Sequence, residues 1–182
     1  MKTRHTLSEA IEQLVGTSIG GYLTRLETDY GLIARRQPFG EKSANKASRY
    51  SVADNFFAFW FRFVHRNADL IELKRFDALR KILRRDYEVF SGLMLERYFR
   101  QKLAEQRTFT GIGSWWDRRG ENEIDIVAED KLSHRAFFAE VKRARERISL
   151  DRLKEKSEAF MRSTGKFSGW HIEYKALSLR DM

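Results

Sequence analysis

Two short apolar runs carry charges that a packed sheet would ordinarily exclude. Ile124-Asp125-Ile126-Val127 holds an aspartate, and Phe137-Phe138-Ala139-Glu140-Val141-Lys142 follows with a glutamate and a lysine. Side chains alternate across a strand, so Glu140 and Lys142 share one face while Val141 points the other way. By the same rule Asp125 points away from Ile124 and Ile126, which are expected to turn inward. If the runs pair as a hairpin, residues directly opposite share a face. A register setting Asp125 against an even-numbered residue gathers Asp125, Glu140 and Lys142; one setting it against Ala139 sends Glu140 to the far side. Magnesium takes hard oxygen ligands, using one or two carboxylates with waters and phosphate oxygens completing its shell. Such an ion polarises a phosphoryl group and makes its bound water nucleophilic near neutral pH. Lys142 is suited to orienting that water or to stabilising charge on the phosphate. The plain alternative is a cross-strand ion pair on an exposed face.

A third acid belongs beside them. Glu96 interrupts the helical apolar stripe Val89, Leu93, Phe99, Leu103, and either pairs with Arg100 four residues on or faces a site. Glu123, two residues before Asp125, is a reserve ligand ranked below Glu96. Of Trp115 and Trp116, adjacent on a strand, one is expected in the core and the other near the mouth of the site. His5, His65, His134 and His171 show no metal-ligand spacing, and cysteine is absent, which leaves no thiolate ligand, disulfide or cysteine nucleophile. Gly165-Lys166 lacks the upstream glycine of a phosphate-binding loop, and neither a serine triad nor a dinucleotide loop is present.

The elements that must hold these residues are legible from period and punctuation. Helices are expected over Ala68 to Arg85, from about Asp86 to Glu105, and over Leu150 to Arg162. Strands are expected over Gly111 to Arg118, Asn122 to Ala128, Ala136 to Lys142 and Trp170 to Leu177, with a turn from Glu129 to Arg135. Helix, three strands, helix, strand is an α/β arrangement around one central sheet. Upstream, Thr6 or Ser8 caps a first helix through Val15, and a second runs from about Ser18 through Leu26 until Gly31 stops it. Leu32 to Arg36 and Arg49 to Val52 then read as strands flanking a basic, turn-rich segment, Pro38 to Ser48. Asp54-Asn55 caps a helix with an aromatic residue on every turn, expected to be buried on most sides. The 182 residues carry a formal net charge of +9, a balance that favours polyanionic partners, nucleic acid first. No apolar run is long enough to span a bilayer, so a cytoplasmic protein with no membrane partner is expected.

Tyr22-Leu23-Thr24-Arg25-Leu26-Glu27, then Gly31-Leu32-Ile33, then Arg49-Tyr50-Ser51-Val52-Ala53-Asp54, resembles the winged-helix region of a family of archaeal and bacterial AAA-type ATPases. The segment Phe56-Phe57-Ala58-Phe59-Trp60-Phe61-Arg62-Phe63-Val64 is similar to the aromatic stretch that follows it in that family. The family's C-terminal domain resembles restriction-endonuclease-type PD-(D/E)XK folds, and the resemblance implies an αβββαβ core of that kind here. It also implies roles: Asp125 as the first acid, Glu140 as the second, Lys142 as the lysine and Glu96 as the additional helix acid. Asp125, Glu140 and Glu96 would hold magnesium or manganese, and Ile124 stands where a proline often precedes the first acid. The expected organisation is a partial winged helix-turn-helix over 1–53, an aromatic and basic helical linker over 54–85, and a nuclease-like domain over 86–182. Arg35, Arg36, Lys42, Lys46 and Arg49 are the expected nucleic-acid contacts. The family's ATPase domain has no counterpart in this sequence, so an ATPase partner in cis or trans is implied. The expected function is a magnesium-dependent nuclease-like activity on DNA. The alternative is a non-catalytic DNA-binding or partner-docking module of such an ATPase.

Overall fold

The structure, a computed structural model, describes residues 19–40, 48–117 and 119–182, and the first expected helix, Thr6 to Val15, lies outside them. The chain is mixed α/β. Helix α1 spans Gly20–Thr28, and its exit is turned by Gly31, whose positive φ of 60° allows Leu32 N–H to donate to the Leu26 oxygen. Strands β1 (Ile33–Arg36) and β2 (Arg49–Val52) pair antiparallel, with Arg36 opposite Arg49. Asp54 then caps α2 (Asn55–Phe59) by accepting from Phe57 N–H at 3.0 Å, and the chain continues through a π-helical turn, Trp60–Val64. Short α3 (Ala68–Glu72) is followed by Lys74, which takes a left-handed backbone, and α4 runs unbroken over Phe76–Glu105. The expected boundary near Asp86 therefore falls inside one helix. Arg84-Arg85-Asp86 is a charge run without glycine or proline, and nothing in it stops a helix.

Four strands make the central sheet: β3 (Gly111–Trp116), β4 (Glu123–Asp130), β5 (Arg135–Val141) and β6 (His171–Leu177), in spatial order β3-β4-β5-β6. The first two pairings are antiparallel; β6 lies parallel to β5 and is reached through α5 (Leu150–Thr164), the crossover that parallel neighbours need. Ser149 caps the start of α5 and Gly165, at φ 65°, ends it. The order α4, three strands, α5, β6 follows the sequence expectation. Both faces of the sheet are covered. Leu95 and Phe99 of α4 meet Ile126, Ala128, Phe137, Ala139 and Val141 on one side. Leu153 and Phe160 of α5 meet Ile124, Val127, Ala136 and Phe138 on the other. Phe138 is fully buried against the rings of Phe160, Phe167 and Tyr174, at centroid distances of 5.9, 6.0 and 5.8 Å. Phe138→Ala is expected to destabilise the fold by about 3–5 kcal/mol, read as a lowered urea midpoint.

The hairpin and its neighbours are fastened to this core. Arg97 of α4 donates to the backbone oxygens of Val52 and Ala53 and to Asn55. Phe39 N–H donates to the Ser114 oxygen at 2.8 Å, and its ring covers Gly113, where an added Cβ would stand 2.9 Å from it. Trp115 and Trp116 are both buried, on opposite faces: Trp115 packs on Phe160 at 5.3 Å, and Arg49 lies 4.3 Å over Trp116. Neither indole is at an open mouth, because the hairpin covers the second one. The aromatic segment also departs from expectation. Phe63 is buried, but Phe56, Phe57, Trp60 and Phe61 are 63%, 40%, 42% and 51% exposed. A short helix with a π turn presents only one side to α4, so rings on its other sides stay outside. Among the described residues no helix is long and apolar enough to cross a membrane.

Candidate active site

The strands that carry Asp125 and Glu140 meet at an irregularity. Between the pairs Gly113↔Val127 and Trp115↔Ile124, β3 spends one residue, Ser114, while β4 spends two, Asp125 and Ile126. This β-bulge reverses the alternation locally, so Ile124 joins the α5-side core and Ile126 the α4-side core. The expectation that both isoleucines share one face is corrected by that extra residue. Arg100 fills the bulge from α4, its Nη1 donating to the Asp125 backbone oxygen at 3.1 Å and to Ser114 Oγ at 3.2 Å.

Beyond the bulge, β4 and β5 pair Ile126 with Ala139, which brings Asp125 level with Glu140, an even-numbered residue. The register that gathers the charges is therefore the one present. Val141 N–H donates to Asp125 Oδ2 at 2.8 Å, and Lys142 Nζ stands 3.4 Å from both Asp125 Oδ2 and Glu140 Oε1. Lys156 of α5 approaches Glu140 Oε2 at 3.8 Å. From the other side Glu96 pairs with Arg100 at 3.5 Å, and it shares a cleft of about 340 Å³ with Lys142, Arg143 and Arg147.

The electrostatics follow from burial. Glu96 is pushed up to about 7 by burial and by the Asp125 charge, against the pull of Arg100. Burial also raises Asp125, although Lys142 and the Val141 N–H bond favour its ionised form. Burial alone would lower Lys142, but Asp125 and Glu140 outweigh it and hold the ammonium above its ordinary value. The two partners of one ion pair thus shift in opposite senses of stability, because the Asp125 side chain is 11% exposed and that of Lys142 40%.

These donors suit a small divalent cation in one respect. Asp125 and Glu140 both reach the point where the Lys142 ammonium sits, and a pair of carboxylates with waters is the protein share that magnesium takes. Among the described residues no group of three acidic or histidine side chains is arranged to hold a metal ion. Glu123 is turned away, in a 2.6 Å ion pair with Arg49. Of the expected nucleic-acid contacts, Arg35 donates to Ser48 Oγ, Arg36 points into the protein, and Arg49 is engaged by Glu123 and Trp116. Lys42 and Lys46 lie outside the described residues.

The family DUF234, archaeal and bacterial proteins of unknown function, matches residues 60–167, more than half of the chain. The chain belongs to the DUF234 family. The DUF234 match includes Glu96, Asp125, Glu140 and Lys142 and stops before β6. One relative, the uncharacterized protein MJECL04 of Methanocaldococcus jannaschii, is 34% identical over 148 residues, covering 76% of this chain and 32% of the relative. The DUF234 chain thus spans about a third of that relative's length. No solved structure matches it. In this DUF234 chain two supporting cations escaped the sequence reading in their site roles: Arg100, read only as a partner for Glu96, and Lys156. Lys156 lies between Leu153 and Phe160 on the buried face of α5, and a lysine in that stripe was the available signal.

Proposed function

We propose that this chain carries a metal-dependent phosphodiester-hydrolysing site of the PD-(D/E)XK kind, acting on DNA. The carrying observation is that Asp125 and Glu140 converge on one ammonium, Lys142, beside a buried Glu96. The αβββαβ order around one sheet supports a restriction-endonuclease-like core, and α1 with the β1–β2 hairpin supports a partial winged helix-turn-helix before it. In this reading Asp125 and Glu140 would hold magnesium or manganese. When bound, such an ion would supply positive charge at a phosphoryl group and a nucleophilic water. The chain's own groups do the rest. Arg100 and the Val141 N–H fix the orientation of Asp125, Lys156 restrains Glu140, and Lys142 offers its donors to the scissile phosphate or to the attacking water. Glu96, pushed up to about 7, would in its ionised form accept a proton at the edge of the site.

Incubating the protein with single-stranded, double-stranded and flapped DNA plus magnesium or manganese tests this directly. Metal-dependent cleavage by the wild type, absent from an Asp125→Ala, Lys142→Ala double variant, is the expected result. Equal trace cleavage by both proteins overturns it.

A second reading, a non-catalytic docking module of an AAA-type ATPase, is favoured by the exposed rings of Phe56, Phe57, Trp60 and Phe61. It predicts salt-dependent DNA binding that ignores both magnesium and the Asp125 substitution.

A further inference from the structure

A cavity of about 300 Å³ opens between the hairpin, the aromatic turn and α4. Arg36 from β1, Arg62 from the π-helical turn, and Arg97 and Arg100 from α4 line it, with Phe61 and Phe90 among its apolar walls. No acidic side chain is among its described lining residues. Two of these guanidinium groups are committed: Arg97 to the backbone of Val52 and Ala53, and Arg100 to Ser114 and the Asp125 oxygen. Arg36 differs. Among the described residues its buried Nε has no hydrogen-bond partner. A buried donor lacking an acceptor costs stability, and natural folds keep few of them. Arg36 also faces like charge: its field, added to burial, lowers both Arg97 and Arg100. Across the hairpin Arg36 is directly opposite Arg49, whose charge Glu123 balances, while among the described residues no acid forms an ion pair with Arg36.

We propose that this pocket binds a phosphate group of a nucleic-acid strand, with Arg36 and Arg62 as its anion contacts. A guanidinium fork matches phosphate oxygens with two parallel N–H donors, and an anion in the cavity would screen the like charges of Arg36, Arg97 and Arg100 from one another. Leu93 of α4 lines both this pocket and the cleft holding Glu96 and Lys142, so the two sites are neighbours across one helix ridge. A strand anchored by one phosphate at Arg36 passes the carboxylates at a further phosphate. That alignment rests on the nuclease-like reading; the anion affinity of the pocket does not.

Two measurements in EDTA, where no cleavage occurs, test the pocket. About 10 mM inorganic phosphate is expected to raise the melting temperature of the wild type above a sodium chloride control of equal ionic strength. Arg36→Gln should fold, since it removes repulsion, and should lose that rise; Arg62→Gln should lose part of it. Fluorescence anisotropy of a labelled oligonucleotide should show about tenfold weaker binding to Arg36→Gln. Oligonucleotides with and without a 5′-phosphate tell the source: loss with both assigns a backbone phosphate, and loss only with the phosphorylated one assigns a strand end. An equal phosphate effect on wild type and Arg36→Gln, or none on the wild type, overturns the pocket. Loss of the phosphate effect with unchanged oligonucleotide affinity overturns the nucleic-acid assignment. Asp125→Asn should keep the phosphate effect whatever its cleavage result, so failure of the pocket and failure of the cleavage reading are separable.

Discussion

Asp125→Asn is expected to reduce metal-dependent DNA cleavage by roughly a thousandfold or more while the protein stays folded. The substitution keeps the shape of the side chain and leaves a carbonyl oxygen able to accept from Val141 N–H, the 2.8 Å bond that ties β4 to β5 at this point. It removes the negative charge that Lys142 Nζ approaches at 3.4 Å. Lys142 then keeps, among the described residues, Glu140 as its one ion-pair partner, so its ammonium titrates lower than in the wild type. The fold should not suffer for it. Because burial raises Asp125 in the folded state, its ionised form opposes folding as pH climbs above the ordinary carboxylate range. Urea unfolding at pH 8 should therefore find Asp125→Asn at least as stable as the wild type. A cleavage assay on the same preparation completes the test. A well-folded Asp125→Asn protein with undiminished cleavage would remove Asp125 from the site.

Glu96→Gln should make the protein more stable at pH 8 by up to about 3 kcal/mol and change little at pH 4. The sign follows from the raised value of about 7 against an ordinary 4.5. Between those pH values the folded protein holds a proton that the unfolded chain has released, so wild-type stability falls as pH rises through that window and stays reduced above it. Glutamine carries no such proton, and this contribution vanishes. Burial is the main cause, the Asp125 charge the next; the 3.5 Å pairing with Arg100 offsets them only in part. Urea midpoints at pH 5, 6, 7 and 8 for both proteins measure the difference. If the Arg100 pairing dominated instead, Glu96→Gln would be the less stable protein at pH 8.

Much of the scaffold was written locally. The order of helix, three strands, helix and strand follows from runs of β-branched and aromatic residues bounded by turns, and both strand alternation and helix periodicity depend on near neighbours alone. Asp54 and Ser149 cap α2 and α5 because a side-chain oxygen needs only its own next turn. For the same reason Glu140 and Lys142 could be assigned one face, and Glu96 could be marked as an acid in an apolar stripe. The sequence also admitted just two parities for pairing Asp125, and either would have been sterically sound.

The tertiary structure decided everything that depends on distant atoms. At the bulge of Asp125 and Ile126 the exposed backbone oxygen is satisfied by Arg100, 25 residues away in the chain, and no local propensity announces that pairing. Trp116 is buried because Arg49 and the hairpin lie over it, while Phe56 and Trp60 stay exposed because α4 reaches only one side of their helix. Arg36, legible as one more basic residue of a wing, turns into a cavity among other arginines because Arg97 anchors the hairpin there. The sequence by itself determined which residues could carry charge into the sheet and on which face. Which of those charges meet, how deeply they are buried and where their protons sit were settled by packing, since burial and long-range neighbours set a carboxylate's ionisation and neither is encoded in a residue's own surroundings along the chain.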